Sequence, residues 1–227
     1  MSQFKNFVVM SVNIENVEEK VAKNSGQDYR EAKATLLNEK TPIQFRVLAF
    51  GKTANFLEEG ERTILGSLKY EEWEDRNGEK HSNLILMANE VKEIKEDDYK
   101  RNFVQLTIRI TEDGEPRMMK NGGAWATSRC FLSMGKDQDG EYKPSLFLGL
   151  KSFARENCDE DGEPTGVYDE VVPYALAAVE KGQSYTIKGR LTQEEYKERL
   201  YNGVTVSGIE DFVYEPETEK EDLGEPF

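Results

Sequence analysis

The chain repeats itself, and that repetition limits its fold more than any other feature. "LEEGERTILGSLKYEEW", starting at Leu57, is echoed by "VEKGQSYTIKGRLTQEEY", starting at Val179. Each sets a glycine after a short apolar-faced helix, then an alternating strand with an internal glycine. Each closes on Glu-Glu and an aromatic, Trp73 or Tyr196. Upstream, "NFVVMSVNI" from Asn6 is matched by "NFVQLTIRI" from Asn102, and "KNSGQ" at Lys23 by "KNGGA" at Lys120. Three echoes in the same order mark a duplicated unit of about 100 residues.

Each copy reads as mostly strand. Phe4–Ile14 and Ala32–Leu37 alternate, and "TPIQFRVLAF" follows a short turn. "ANFLEEGE" reads as one or two helical turns stopped by Gly60. Two further strands are then joined by "EDRNGEK", whose Asn77-Gly78 is a hairpin signal. The second copy repeats this order, with Asn202-Gly203 expected to turn its last hairpin. It adds an excursion, "ARENCDEDGEPTGVYDE", before the helix "VVPYALAAVEKG". Three strands, a short helix and a two-strand hairpin is the order of a five-stranded OB barrel. Gly66 and Gly189, inside strands, suit the bends of a small barrel. The expected architecture is therefore all-β: two tandem five-stranded OB-fold barrels with short helices. The first covers residues 1–98 and the second 99–214, joined through a linker at Lys95–Asn102. An acidic tail of residues 215–227 follows, too poor in apolar residues to order itself.

Charge limits the partners. Forty-four acids against 30 bases give a net charge of −14, so a polyanion must be held by a local groove and by stacking rather than by the overall field. No apolar run approaches the length needed to span a membrane, and "MSQFKNFVVMSVNIE" lacks a signal-peptide layout. Cys130 and Cys158 have no metal-type spacing and fit a reducing cytoplasm. The single histidine, His81, has no nucleophile motif beside it, which argues against a triad enzyme. "KDQDGEY" and "NCDEDGEP" lack the remaining ligands of a calcium loop and read as turns. No phosphate-cradling Gly-Lys-Ser/Thr loop is present. The expectation is a non-enzyme with no cofactor and no metal.

"VLAFGKTANFLEEGERTILGSLKYEEWEDRNGEKHSN" resembles the stretch shared by bacterial single-stranded-DNA-binding proteins. It has the Phe-Gly-Lys-x-Ala turn, the Gly-x-Leu strand, Trp-x-Asp and a glycine-centred hairpin. The second copy is similar to the family chiefly in "GRLTQEEY" and "NGGAWATSRCFLS". The acidic tail ending in Pro-Phe is also a family trait. The resemblance implies single-stranded DNA as ligand and a tip (Asp222, Glu225, Pro226, Phe227) that docks replication and repair proteins. It also implies four barrels per working particle, hence a homodimer in a bacterial or phage-infected cytoplasm. Two departures weaken the first copy. Gln44 stands where the family places a tryptophan, and the family's basic residues before Trp73 appear as Ser67, Lys69, Glu71 and Glu72.

Sequence-tolerant binding of single strands needs π-faces for bases and cations for phosphates. The candidates in the first copy are Phe50, Trp73 and Tyr70 with Lys52 and Lys69. Lys69 and Tyr70 fall on opposite faces of one strand, so both cannot line one groove. In the second copy, the loop "RMMKNGGAW" offers Arg117, Lys120 and Trp125. Arg190 and Tyr196 correspond to Ser67 and Trp73. A core role competes for Phe50 and Trp125. The expected function is to coat single-stranded DNA and recruit partners through the tip. The alternative is a tandem-barrel protein-interaction module that does not bind nucleic acid.

Overall fold

The structure is a computed structural model. It describes residues 4–22, 25–37, 39, 41–95, 99–120, 122–136, 139–197 and 199–212. Twelve strands carry the chain: β1 (Asn6–Val21), β2 (Asp28–Leu36), β3 (Gln44–Phe50), β4 (Gly60–Glu74), β5 (Lys80–Glu93), β6 (Asn102–Met118), β7 (Ala124–Leu132), β8 (Leu146–Phe153), β9 (Arg155–Cys158), β10 (Pro164–Asp169), β11 (Ser184–Tyr196) and β12 (Arg199–Asp211). A 3-10 turn at Gly51–Phe56 and the helix α1 (Val171–Ala177) complete it.

The pairing order runs β11-β12-β8-β7-β6-β1-β2-β3-β5-β4, with two further pairings, β1–β4 and β6–β11. Those two pairings bend the ribbon back on itself at each end. β1-β2-β3-β5-β4 closes one five-stranded ring, and β6-β7-β8-β12-β11 closes another. Closure removes the exposed edges that an open sheet would present. Alternation fills the interior: Val8, Met10 and Val12 point inward in the first ring, Val104, Leu106 and Ile108 in the second, all at most 2% exposed. The buried residues of both rings form one contiguous cluster.

The rings meet where β1 pairs antiparallel with β6 in the register Asn6↔Leu106, Val8↔Val104 and Met10↔Asn102. Equivalent residues of the two copies therefore face one another about a local twofold at Val8/Val104. The side-chain bonds obey the same symmetry. Ser11 N–H donates to the Arg101 carbonyl at 2.7 Å, and Arg101 N–H donates to Ser11 Oγ at 2.8 Å. In the mirror position Thr107 N–H donates to the Lys5 carbonyl at 2.7 Å, and Lys5 N–H to Thr107 Oγ1 at 2.8 Å. Asn6 clamps Leu68 through both its backbone groups, at 2.7 and 2.9 Å, and Asn102 clamps Leu191 at 2.9 and 3.0 Å.

The strand glycines serve the same purpose in each ring. A bulge falls between Leu65 and Gly66 against β5, and between Lys188 and Gly189 against β12. A Cβ at Gly66 would land on the Met87 carbonyl oxygen, and one at Gly189 on the Thr205 carbonyl oxygen. Only hydrogen lets the bulged strands close to this distance.

Two local expectations are corrected, and the excursion gains a structure. Asn202-Gly203 does not turn the last hairpin; both lie inside β12, opposite Gln193 and Thr192. The turn follows Tyr196, where Lys197 adopts a left-handed φ of 50°. Gly203 answers to close packing instead, since a Cβ there would sit 2.9 Å from the Gly149 carbonyl oxygen. "ANFLEEGE" is not helical to Gly60. The 3-10 turn stops at Phe56, Leu57 is buried beneath it, and Gly60, at a φ of 102°, opens β4. The excursion after β8 is structured: β9 and β10 pair as a hairpin, turned where Asp159 Oδ1 accepts N–H bonds from Asp161 and Glu163.

The bulge glycines yield a stability prediction. Gly66→Ala should destabilise the chain by more than ~3 kcal/mol, because backbone rather than a movable side chain blocks the new methyl. Gly208→Ala, whose nearest atoms would be Lys188 side-chain carbons at 3.7 and 3.8 Å, should stay within ~1 kcal/mol. Urea unfolding midpoints of the two variants measure the contrast.

Candidate nucleic-acid interface

In OB barrels the outer face of strands two and three, with the loops at their ends, is the gripping surface. In the first ring these strands are β2 and β3. Phe45, Val47 and Ala49 are buried while Gln44, Arg46, Leu48 and Phe50 look outward. Phe50 is therefore not a core residue; its ring stacks on Tyr29 across the β2–β3 pair, with centroids 5.1 Å apart. On β4, Lys69 and Trp73 share the outer face, and Trp73, 44% exposed, stacks on His81 at 5.5 Å. Tyr70 takes the opposite face. It packs against the core end, and its hydroxyl donates to Glu72 Oε1 at 2.6 Å. Burial, followed by that carboxylate, raises the Tyr70 pKa. Lys52 is exposed on the 3-10 turn after Phe50.

Two cations sit mid-face in this ring as a cross-strand pair, the exposed Lys33 and Arg46, and Arg46 is already engaged. Arg46 Nη1 donates to Glu71 at 2.8 Å and Nη2 to Glu31 at 2.9 Å. Its Nε is buried without a partner among the described residues. The hydrogen bond to Glu31 is the main reason the guanidinium pKa is raised, and the same bond lowers the Glu31 carboxyl, with Lys20 at 3.2 Å adding to it.

The second ring presents β7 and β8. Ala124, Ala126, Ser128, Cys130 and Leu132 point inward, so Trp125 faces out rather than anchoring the core. Its ring stacks on Phe153, 5.7 Å away and 9° from parallel, and the Arg117 guanidinium lies over the ring, 5.2 Å from its centroid. Arg117 and Trp125 are themselves a cross-strand pair, so the loop expected there narrows to residues 119–123, with Lys120 exposed near its tip. Six residues further along β7, Phe131 meets Phe147 at 6.1 Å. Between the ring pairs stand Arg129 and Lys151. At the far hairpin, Tyr196 is exposed beneath Lys197, 5.2 Å from the ring centroid. Arg190 is not free on this face: its Nη2 donates to Glu39 at 2.8 Å, and Glu39 also accepts from Asn102.

Of the expected residues, Trp125, Arg117 and Tyr196 lie with the second ring, and Phe50, Lys69 and Trp73 with the first. Asp222, Glu225, Pro226 and Phe227 lie outside the described residues. Phe131, Phe147, Phe153, Arg129 and Lys151 were not expected. Their signal is the period of two in "SRCFL" and "LFLGLKSF", where rings and cations alternate with buried residues. Asp75, Glu79 and His81 cluster at the β4–β5 tip, but Asp75 Oδ1 is occupied by the Asn77 and Glu79 N–H groups that form the turn.

No family model matches the sequence, and no curated protein matches it by sequence. Solved structures do match its fold. The wild-type single-stranded DNA binding protein from Thermus aquaticus superposes with a TM-score of 0.59 at 18% identity, covering 96% of this chain and 97% of that one. A deletion and substitution variant of the same Thermus aquaticus protein gives 0.59 at 19% identity, over 96% of this chain and all of that one. This all-β chain therefore has the OB-barrel fold of those proteins, across nearly its whole length.

The Arg46 bracket has a pH signature. A carboxyl whose folded pKa is depressed adds stability above its unfolded pKa and loses it as pH falls through the lower folded value. Glu31→Gln should therefore be less stable than the parent at about pH 7. The gap should shrink once the pH falls below ~4.3, the ordinary glutamate value. Urea midpoints of both chains at a series of pH values test this. A gap independent of pH would assign the loss to packing.

Proposed function

We propose that this chain binds single-stranded DNA by laying it across the outer faces of β2–β3 and β7–β8. One observation carries the reading: rings on the outer face stand in cross-strand pairs, each with one exposed member, and arginine and lysine lie between them, chiefly Trp125–Phe153 and Phe131–Phe147 with Arg129 and Lys151. Phe147 is 67% exposed, and a phenylalanine held that far into water gains little for folding. A π-face open to solvent beside a cation is what an unpaired base and its phosphate require. The fold likeness to a single-stranded DNA binding protein supports the same reading. The acid bracket on Arg46 favours a second one, in which the chain is an interaction module without affinity for nucleic acid.

In this reading residues 1–98 and 99–214 are two OB-fold units, and the chain works in the cytoplasm beside exposed strands in replication, recombination and repair. The tip at Asp222–Phe227 would recruit partner proteins, with the Phe227 ring and the acids before it as the docking element. Two chains would assemble into a four-barrel particle. The exposed Phe7 on the β1–β6 seam, with the Phe4–Phe212 ring pair at 4.8 Å, supplies apolar surface for it.

Trp73→Ala and Trp125→Ala should each weaken oligo-dT binding by ~1–3 kcal/mol, the usual value of one stacked base. The salt dependence should be shallow, because few counterions are released from so acidic a protein. Deleting residues 215–227 should leave affinity level or raise it. Titration followed by tryptophan fluorescence tests all of this, and an inert signal from the parent chain would favour the interaction module. Light scattering over a concentration series should give the mass of two chains; the mass of one chain throughout would remove the dimer.

A further inference from the structure

Resting on the reading above, we infer that the second ring is the main grip on the strand, and that on the first ring's equivalent face Arg46 is held from phosphate by its own carboxylates. The two faces can be compared position by position because their registers match. Tyr29↔Phe50 corresponds to Trp125↔Phe153, Thr35↔Gln44 to Phe131↔Phe147, and Glu31↔Leu48 to Thr127↔Lys151.

Rings differ first. Both faces hold one stacked pair at the same place, but where the second ring adds Phe131–Phe147 the first has threonine and glutamine. The absent platform at Gln44 thus reappears at Phe147, its counterpart.

Charge differs in how the cations are engaged rather than in their number: Lys33, the counterpart of Arg129, is exposed in the first ring too, and the difference lies in the second cation of each face. A phosphate approaching Arg46 meets Glu31 and Glu71, both already bonded to the guanidinium, and Glu31 is only 19% exposed. A carboxylate so enclosed cannot swing aside cheaply, and its charge stays on the face. In the second ring the Glu31 position is the neutral Thr127. Arg129 there is 70% exposed and pairs with Glu112, itself 57% exposed; Lys151 likewise pairs with Glu194, 61% exposed. Exposed single pairs of this kind are weak and screened, so a phosphate can displace them. Mid-face, Gly149 stands where the first ring has Arg46. A Cβ there would meet no atom within 4 Å, which leaves open space above bare backbone.

The test uses full-length chains and a short oligo-dT followed by fluorescence anisotropy, with circular dichroism confirming the fold. Phe153→Ala and Phe147→Ala should each weaken binding by roughly fivefold or more, and Phe50→Ala clearly less than Phe153→Ala. Arg129→Gln, at an exposed position, should also weaken binding and serves if a ring variant fails to fold. The double variant Glu31→Gln/Glu71→Gln should tighten binding at low salt by releasing Arg46. Equal losses at Phe50 and Phe153, or a double variant no tighter than the parent, would overturn the inference while leaving single-strand binding intact. A parent chain that does not bind the oligonucleotide would overturn the functional reading itself.

Discussion

The antiparallel pairing of β1 with β6 is the constraint on which the rest of this structure depends. Each strand is shared: β1 closes its own ring against β4 and still pairs with β6, which closes the other ring against β11. A strand engaged by three neighbours along its length cannot shift register without breaking two barrels. The buried hydroxyls at the crossing fix that register. Ser11 and Thr107 each accept a backbone N–H from across the seam and each approach a second hydroxyl, Thr63 at 3.1 Å and Thr186 at 3.3 Å. An apolar residue at either place would take the acceptor from that N–H and loosen the seam.

That seam also positions the candidate interface. Because the rings face one another about a local twofold, each presents its own second and third strands on the outside, away from the shared strands. The side chains there owe nothing to the core, and this freedom lets one face carry four paired rings while the other carries an arginine bracketed by glutamates. A net charge of −14 is compatible with a cationic groove only under such local segregation.

Much of this was legible in the sequence. The echoes at Asn6/Asn102 and Gly66/Gly189 mark positions that the seam clamps and the bulges use, and an alternating pattern has only one inward face. Other features were not legible, because they depend on contacts distant in the chain. Asn202-Gly203 has the composition of a turn, but its glycine is explained by the approach of β8, a strand more than fifty residues earlier. The ring pairs are of the same kind: Phe131 and Phe147 look unremarkable until strand register sets them side by side. The bracket on Arg46 is also of this kind, since Glu31 and Glu71 come from two other strands. Lys69 and Tyr70, by contrast, were separable from sequence alone, since successive strand residues must point opposite ways.

Holding both partners of a twofold contact in one polypeptide has an evolutionary consequence. In a symmetric dimer of identical subunits, a single mutation appears on both sides of the axis at once, so neither half can specialise. Here the halves are separate stretches of sequence, tethered at an effective concentration that no dilution removes. Selection can alter one ring's surface while the other keeps its duty, provided Asn6, Ser11, Asn102 and Thr107 are left alone. The divergence between Gln44 and Phe147, and between Glu31 and Thr127, is the kind of drift that such a covalent dyad permits.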